Sequence, residues 1–197
     1  MHICVLFASP RGRESNTRAL VDICLDTWRD AGHDAEVFSL YDLSIAPCRA
    51  CRGCQRDHTV PGCAIDDGMT AIFEAVLRSD LIVFASPIYS WYCTAPLKAA
   101  MDRMVYALCK FYGEKKGPSL MAGKAVCAIT TCGYRPEQGA DLFDEGLRRW
   151  CKHGEMDYLG MYCRRDTGKK EEFMDEQAEF DLRDFAHALY IMVGHSL

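Results

Sequence analysis

Short apolar runs alternate with stripes of helical period along the whole chain, and this alternation limits the fold more than any other feature. Residues 3–8, 81–85 and 125–130 are continuous apolar runs, and 35–40 and 156–162 are strand-like segments of mixed character. Continuous runs suit strands buried on both faces of a sheet. Between them lie the stripes Leu20, Ile23, Cys24 and Trp28 (within 15–31) and Met69, Ile72, Phe73 and Val76 (within 67–79). Three more follow: Leu97, Met101, Met104, Val105 and Leu108; Phe143, Leu147, Trp150 and Cys151; Leu182, Phe185, Leu189 and Met192. Five strands alternating with five helices predict an α/β fold, a doubly wound five-stranded parallel sheet with helices on both faces. The expected strand order is 2-1-3-4-5, with a ligand beyond the strand C-termini at the switch between strands one and three. No linker or repeat interrupts the pattern, so 1–197 reads as one domain. A cysteine-rich insertion at about 46–66 follows strand two, where a connection this long is commonly functional. The C-terminal end of that strand lies on the ligand edge. The insertion is therefore expected on that side of the subunit, or reaching a partner across an interface.

Charge and cysteine content narrow the function. Lys and Arg number 23 against 28 Asp and Glu, a net charge of −5, which disfavours sequence-independent nucleic-acid binding. No stretch approaches the ~20 apolar residues of a membrane span. The 12 cysteines raise the question of a disulfide scaffold, but such scaffolds are small and secreted. The opening residues 1–8 lack the basic segment of a secretory signal. The expected compartment is the cytoplasm, where reduced cysteines serve as buried thiols or metal ligands.

Three loops fall on the predicted ligand edge. Ser9-Pro10-Arg11 and Ser15-Asn16-Thr17 join strand one to helix one. This loop matches neither G-x-G-x-x-G nor the P-loop. Its hydroxyls, the Asn16 amide, Arg11 or Arg13, and the free N–H groups of a helix start suit a terminal phosphate. The same residues also suit a helix N-cap, with Ser15 or Asn16 closing the helix. After strand three, Pro87, Ile88, Tyr89, Ser90, Trp91 and Tyr92 offer aromatic surface for a flat ring. Capping of the core or a subunit contact is the plainer use of Trp91 and Tyr92. Thr131, Cys132, Gly133 and Tyr134 after strand four form a second wall. Cys132 is read as a packing residue, as are Cys4, Cys24, Cys127 and Cys151 in core positions.

Cys48, Cys51 and Cys54 make a C-x₂-C-x₂-C run, and Cys63 follows after a longer spacer. Three thiolates this close can wrap three corners of an iron–sulfur cube, with the fourth ligand drawn from further along the chain, where Cys63 is a candidate. Zinc prefers separated C-x₂-C pairs and ranks second, with His58 as a further ligand against its plainer reading as a solvated loop residue; empty reduced thiols rank third. Arg49, Arg52 and Arg56 would offset the charge of a thiolate-bound cluster.

Ser9-Pro10-Arg11 with Ser15-Asn16-Thr17, then Ser86-Pro87-Ile88-Tyr89 before Ala95-Pro96-Leu97-Lys98, resemble the flavodoxin-like NAD(P)H-dependent FMN reductases. The compact cysteine motif resembles that of their iron–sulfur flavoprotein branch, although Cys63 lies further along than the fourth cysteine there. The resemblance implies FMN, with its phosphate on Ser9, Arg11, Ser15, Asn16 and Thr17. Its ring and ribityl chain would lie on Pro87, Ile88, Tyr89, Ser90, Trp91 and Tyr92, and residues 131–134 would complete the site. It also implies a [4Fe–4S] cluster on Cys48, Cys51, Cys54 and Cys63, and a homodimer or homotetramer. NAD(P)H or ferredoxin would donate electrons to a small-molecule or protein acceptor. No side chain need act as acid or base, because flavin N5 is the reacting atom. The alternatives are a plain FMN or quinone reductase with a zinc-bound or empty cysteine loop, and a non-enzymatic electron carrier reduced by ferredoxin.

Overall fold

The computed structural model describes residues 1–169 and 173–194. The strands are β1 (His2–Phe7), β2 (Asp34–Ser39), β3 (Leu81–Tyr89), β4 (Tyr92–Cys93), β5 (Ala125–Cys132) and β6 (Asp157–Arg165). The helices are α1 (Asn16–Asp30), α2 (Met69–Arg78), α3 (Ala95–Leu108), α4 (Pro136–Gly139), α5 (Asp141–His153) and α6 (Glu176–Gly194). Five strands run parallel in the order β2-β1-β3-β5-β6. The sixth, β4, pairs antiparallel with the end of β3. The expected count of five is thus corrected to six described strands.

The extra strand arises in a stretch that reads as a loop. β3 continues past Ala85 because Ser86 and Pro87 pair with Thr130 and Thr131. Pro87 has no N–H to give, and beyond it pairing passes to the hairpin Ile88↔Cys93 and Tyr89↔Tyr92. Ser90 and Trp91 form the turn, both left-handed, with φ of 50° and 62°. Such turns usually carry Asn-Gly, so the sequence gives no hairpin signal. The four-residue α4 was likewise too short to leave a periodic stripe.

Alternating strand residues feed two cores. Cys4, Leu6, Ile82, Phe84, Val126 and Ala128 pack under α2, α3 and α5. Ile3, Val5, Phe7, Val83, Cys127 and Ile129 pack under α1 and α6. Helices therefore cover both faces, and the loops at the strand C-termini are left to form a site. No helix among the described residues is long and apolar enough to cross a membrane.

Cys4 and Cys151 lie in these cores, each 1% exposed, and burial pushes both thiols up to about 12. A thiol held neutral in the fold but ionising near its ordinary value when unfolded stabilises fully below about pH 9 and loses that contribution as pH rises toward 12. Each group then costs up to ~1.4 kcal/mol per pH unit. Urea midpoints should fall between pH 9 and 10, and Cys4→Ala with Cys151→Ala should flatten the fall.

Candidate flavin site and cysteine loop

The strand register brings the ends of β1, β3 and β5 to one edge. The Thr94 hydroxyl donates to the Ala8 carbonyl at 2.8 Å and fixes the start of α3 against the end of β1. An open cleft of about 280 Å³ lies there. Ser9, Arg11, Ser15, Asn16 and Thr17 line it from the β1–α1 loop, Pro87, Ile88 and Tyr89 from β3, and Thr131, Cys132 and Gly133 from β5 and its end. Asp166 and Gly168, beyond β6, complete the lining.

The polar groups of this cleft are already organised. Ser15 is the N-cap of α1: its hydroxyl accepts from the Arg18 N–H at 3.0 Å and donates to the Gly12 carbonyl at 2.9 Å. The capping use of Ser15 is therefore real, and it leaves the first-turn N–H groups of Asn16 and Thr17 without intrahelical acceptors. Thr17, 1% exposed, shares a 2.9 Å hydrogen bond with Thr131, tying α1 to β5. The Asn16 amide donates to Asp166 at 2.9 Å. Nothing in the sequence marks Asp166; only the pairing of β6 with β5 brings it here. Ser15→Ala should remove the cap at a cost of about 1 kcal/mol, a melting-point drop of roughly 2–4 °C at this chain length.

Ser90, Trp91, Tyr92 and Tyr134 do not line the cleft. Tyr92 packs edge-on against Phe143 at 5.1 Å on the α5 side of the sheet. Trp91 stacks on Tyr134 with ring centroids 6.0 Å apart, and its Nε1 donates to the Gln138 carbonyl. Both rings are about half exposed on the hairpin side of the site. Cys132 donates to the Tyr134 carbonyl at 3.1 Å and accepts from Cys163 at 3.5 Å. Burial raises its thiol, and it stands at the cleft wall.

The cysteine loop has one short 3-10 turn, Gly53–Gln55, and is otherwise held by side chains. Cys48, Cys51, Cys54 and Cys63 line one small cavity together with Arg103, Tyr106 and Ala107 of α3. No group of three or more His, Cys, Asp or Glu side chains among the described residues is drawn together as a metal site. The four thiols share a space without converging on a point, which is a looser arrangement than a single-ion site. Cys54 donates to the Tyr106 carbonyl at 3.0 Å, and Arg103 Nη2 donates to Cys63 Sγ at 3.2 Å.

Residues with no motif hold this loop. Lys110, fully buried, donates to the carbonyls of Cys54, Val60 and Pro61 at 2.7, 2.6 and 3.1 Å. Gln55 donates to the carbonyls of Tyr106 and Cys109 and accepts from the Tyr112 N–H. Burial raises the Asp67 carboxyl, but Arg103 and the N–H groups of Ala46 and Met69 outweigh it and hold the carboxyl below its usual range. The loop starts from the ligand edge at the end of β2. It folds back along α3, whose N-terminus is at that edge. Arg103 to Ala107 lie 8–12 residues down the helix, roughly 12–18 Å at 1.5 Å per residue. A larger cleft, about 700 Å³, opens on the loop's outer face and includes Cys51, Arg52, Arg56, His58 and Lys115. It touches no strand end.

The fold and site define a doubly wound α/β protein with a ligand cleft at its switch point. The sequence profile described as NADPH-dependent FMN reductase matches residues 1–162. The chain belongs to that family, one of flavin oxidoreductases. It is 32% identical over 125 residues to an iron-sulfur flavoprotein of Methanosarcina thermophila, covering 62% of this chain and 63% of that protein. It is 27% identical over 200 residues to an iron-sulfur flavoprotein of Methanocaldococcus jannaschii, covering 96% of each. The match thus spans less than two thirds of the Methanosarcina protein. Among solved structures, an NAD(P)H:quinone oxidoreductase from Methanothermobacter marburgensis superposes with a TM-score of 0.66 at 20% identity, covering 95% of this chain and 94% of that one. An FMN-dependent NADH-azoreductase from Bacillus anthracis, solved with FMN, gives 0.66 at 14% identity, covering 96% and 99%. These structural likenesses speak for the fold.

Proposed function

We propose that the chain is an FMN-dependent oxidoreductase that couples its flavin to a [4Fe–4S] cluster on Cys48, Cys51, Cys54 and Cys63. The observation that carries the reading is the cleft at the ends of β1, β3 and β5, closed on one side by the N-terminus of α1. Bound FMN would exchange a hydride or single electrons, and the cluster single electrons, so the pair would link two-electron donors to one-electron partners. The first-turn N–H groups of α1, the Ser9 hydroxyl and the Arg11 guanidinium hold the phosphate. Thr17 and Thr131, already bonded to each other, keep the cleft floor rigid. Pro87, Ile88, Tyr89 and the 131–133 wall hold the ring, with Trp91 and Tyr134 outside its lining. The four cysteines face one cavity beside a buried guanidinium, which fits a thiolate-bound group. NAD(P)H or ferredoxin supplies electrons, and the working unit is a dimer or tetramer.

The long spacer between Cys54 and Cys63 favours a second reading. In it the chain is a plain FMN or quinone reductase whose loop holds zinc or nothing. Anaerobic purification decides between them. The first reading expects FMN on heat release, with close to four iron and four sulfide per chain. Stoichiometric zinc without sulfide would establish the second, and a chain that binds only FAD, or no flavin at all, would remove both. Steady-state NAD(P)H oxidation then separates an enzyme from a carrier reduced only by ferredoxin.

A further inference from the structure

We propose that Arg103 is the positioning residue that seats Cys63 as the fourth ligand of the cysteine loop and sets the potential of the group held there. The proposal rests on the cluster reading above. The long spacer between Cys54 and Cys63 is the anomaly it explains. Lys110 draws the carbonyls of Cys54, Val60 and Pro61 onto one ammonium, so the spacer doubles back. Gly62, with φ +63°, lies so close to Cys54 that an added Cβ would sit 3.5 Å from the Cys54 Cα. Cys63 is thereby returned to the side of Cys54 despite its distance in sequence.

Arg103 then fixes the Cys63 sulfur. Its side chain is 1% exposed and reaches three parts of the loop. Nη1 donates to both Asp67 oxygens at 2.6 Å, and Nη2 donates to Cys63 Sγ at 3.2 Å and to the Ile65 carbonyl at 3.0 Å. Nε is buried without a partner. Asp67 also accepts from the Ala46 N–H at 2.9 Å, so one ion pair closes the neck of the insertion. A neutral thiol is a weak acceptor, and a buried guanidinium spent on one is poorly used. A metal-bound thiolate is the stronger acceptor, and an N–H donor on a ligand sulfur raises the reduction potential of a cluster. The carboxylate of Asp67 acts on that potential with the opposite sign.

Redox titration of anaerobically purified holoprotein, followed by the paramagnetic signal of the reduced cluster, tests this. Arg103→Gln should shift the cluster midpoint downward, and Asp67→Asn should shift it upward. Arg103→Lys, which keeps the charge but loses the fork, should fall between Arg103→Gln and wild type. A residue that merely closes the neck predicts shifts of one sign in both variants, or none, and either result overturns the assignment. FMN content and thermal melts check folding. Should Arg103→Gln fail to fold, the upward shift in Asp67→Asn, or its absence, decides alone. Wild-type protein that holds no iron and sulfide would remove the cluster reading itself. Wild type with a cluster and variants without opposed shifts would remove only the role of Arg103.

Discussion

Lys110→Met is expected to detach the cysteine loop and lower stability by roughly 3 kcal/mol. Methionine nearly matches lysine in length and fills the same space, so the loss is chemical. The ammonium makes three charge-assisted bonds to carbonyls of Cys54, Val60 and Pro61. Bonds to charged groups contribute about 1.5–3 kcal/mol each. The cost of burying the ammonium offsets part of that sum. In the variant the carbonyls must find water, and the simplest way is for residues 53–62 to leave α3. At this chain length ~3 kcal/mol corresponds to a melting drop of roughly 6–12 °C. Limited proteolysis should cut between 46 and 66 while the cleft at the strand ends stays intact, because the Lys110 bonds to Cys54, Val60 and Pro61 do not reach the β1–α1 loop. A melt within 2 °C of wild type, with the loop uncut, would show that the bonds to Lys110 do not support it.

Elements with a period were legible in the sequence, and elements held by single side chains were not. The stripe Leu20, Cys24 and Trp28 placed α1, and the run 81–85 placed β3, because burial on one or two faces leaves a pattern. The C-terminal half of β3 left none: Pro87 suggests a break, and the turn at Ser90-Trp91 carries no glycine. The β1–α1 loop was readable because helix starts need recognisable caps, and Ser15 is one. Trp91, Tyr92 and Tyr134 read as ring contacts from their aromatic character, their place beyond strands three and four, and the family resemblance. Their directions depend on a hairpin that turns Tyr92 toward Phe143 and stacks Trp91 on Tyr134. The spacing of Cys48, Cys51 and Cys54 announced the loop but not its supports. Arg103 and Lys110 sit in or just beyond the amphipathic helix α3, and Gln55 ends the loop's own 3-10 turn, places where a charged or polar residue reads as solvent-facing. Only the folding back of 46–66 over α3 buries them, and no local pattern records a long-range contact of that kind.

Cys51→Ala is expected to abolish stoichiometric iron while leaving FMN content unchanged. Among the four cysteines of the loop, Cys51 is the exposed one, whereas Cys54 is buried against α3. Replacing Cys54 would add a packing loss to the loss of a ligand, so its variant would be ambiguous. Alanine at Cys51 removes a sulfur and little else, and the sheet, both cores and the cleft are untouched. Iron and sulfide should therefore fall from about four each to a small fraction, since a cube with one open corner is readily lost to solvent. The flavin should still be reduced by a two-electron donor at the wild-type rate if nicotinamide meets the ring directly. Reduction by a one-electron donor such as ferredoxin should slow by an order of magnitude or more, about 1.4 kcal/mol per tenfold step. Stopped-flow reduction of both proteins by both donors gives four rates. The sinking result is equal ferredoxin rates in wild type and in a variant shown to lack iron, which would leave the cysteine loop off the electron path. Slowing with both donors alike would instead place the cysteine loop in support of the cleft, against the separation of the two sites along α3.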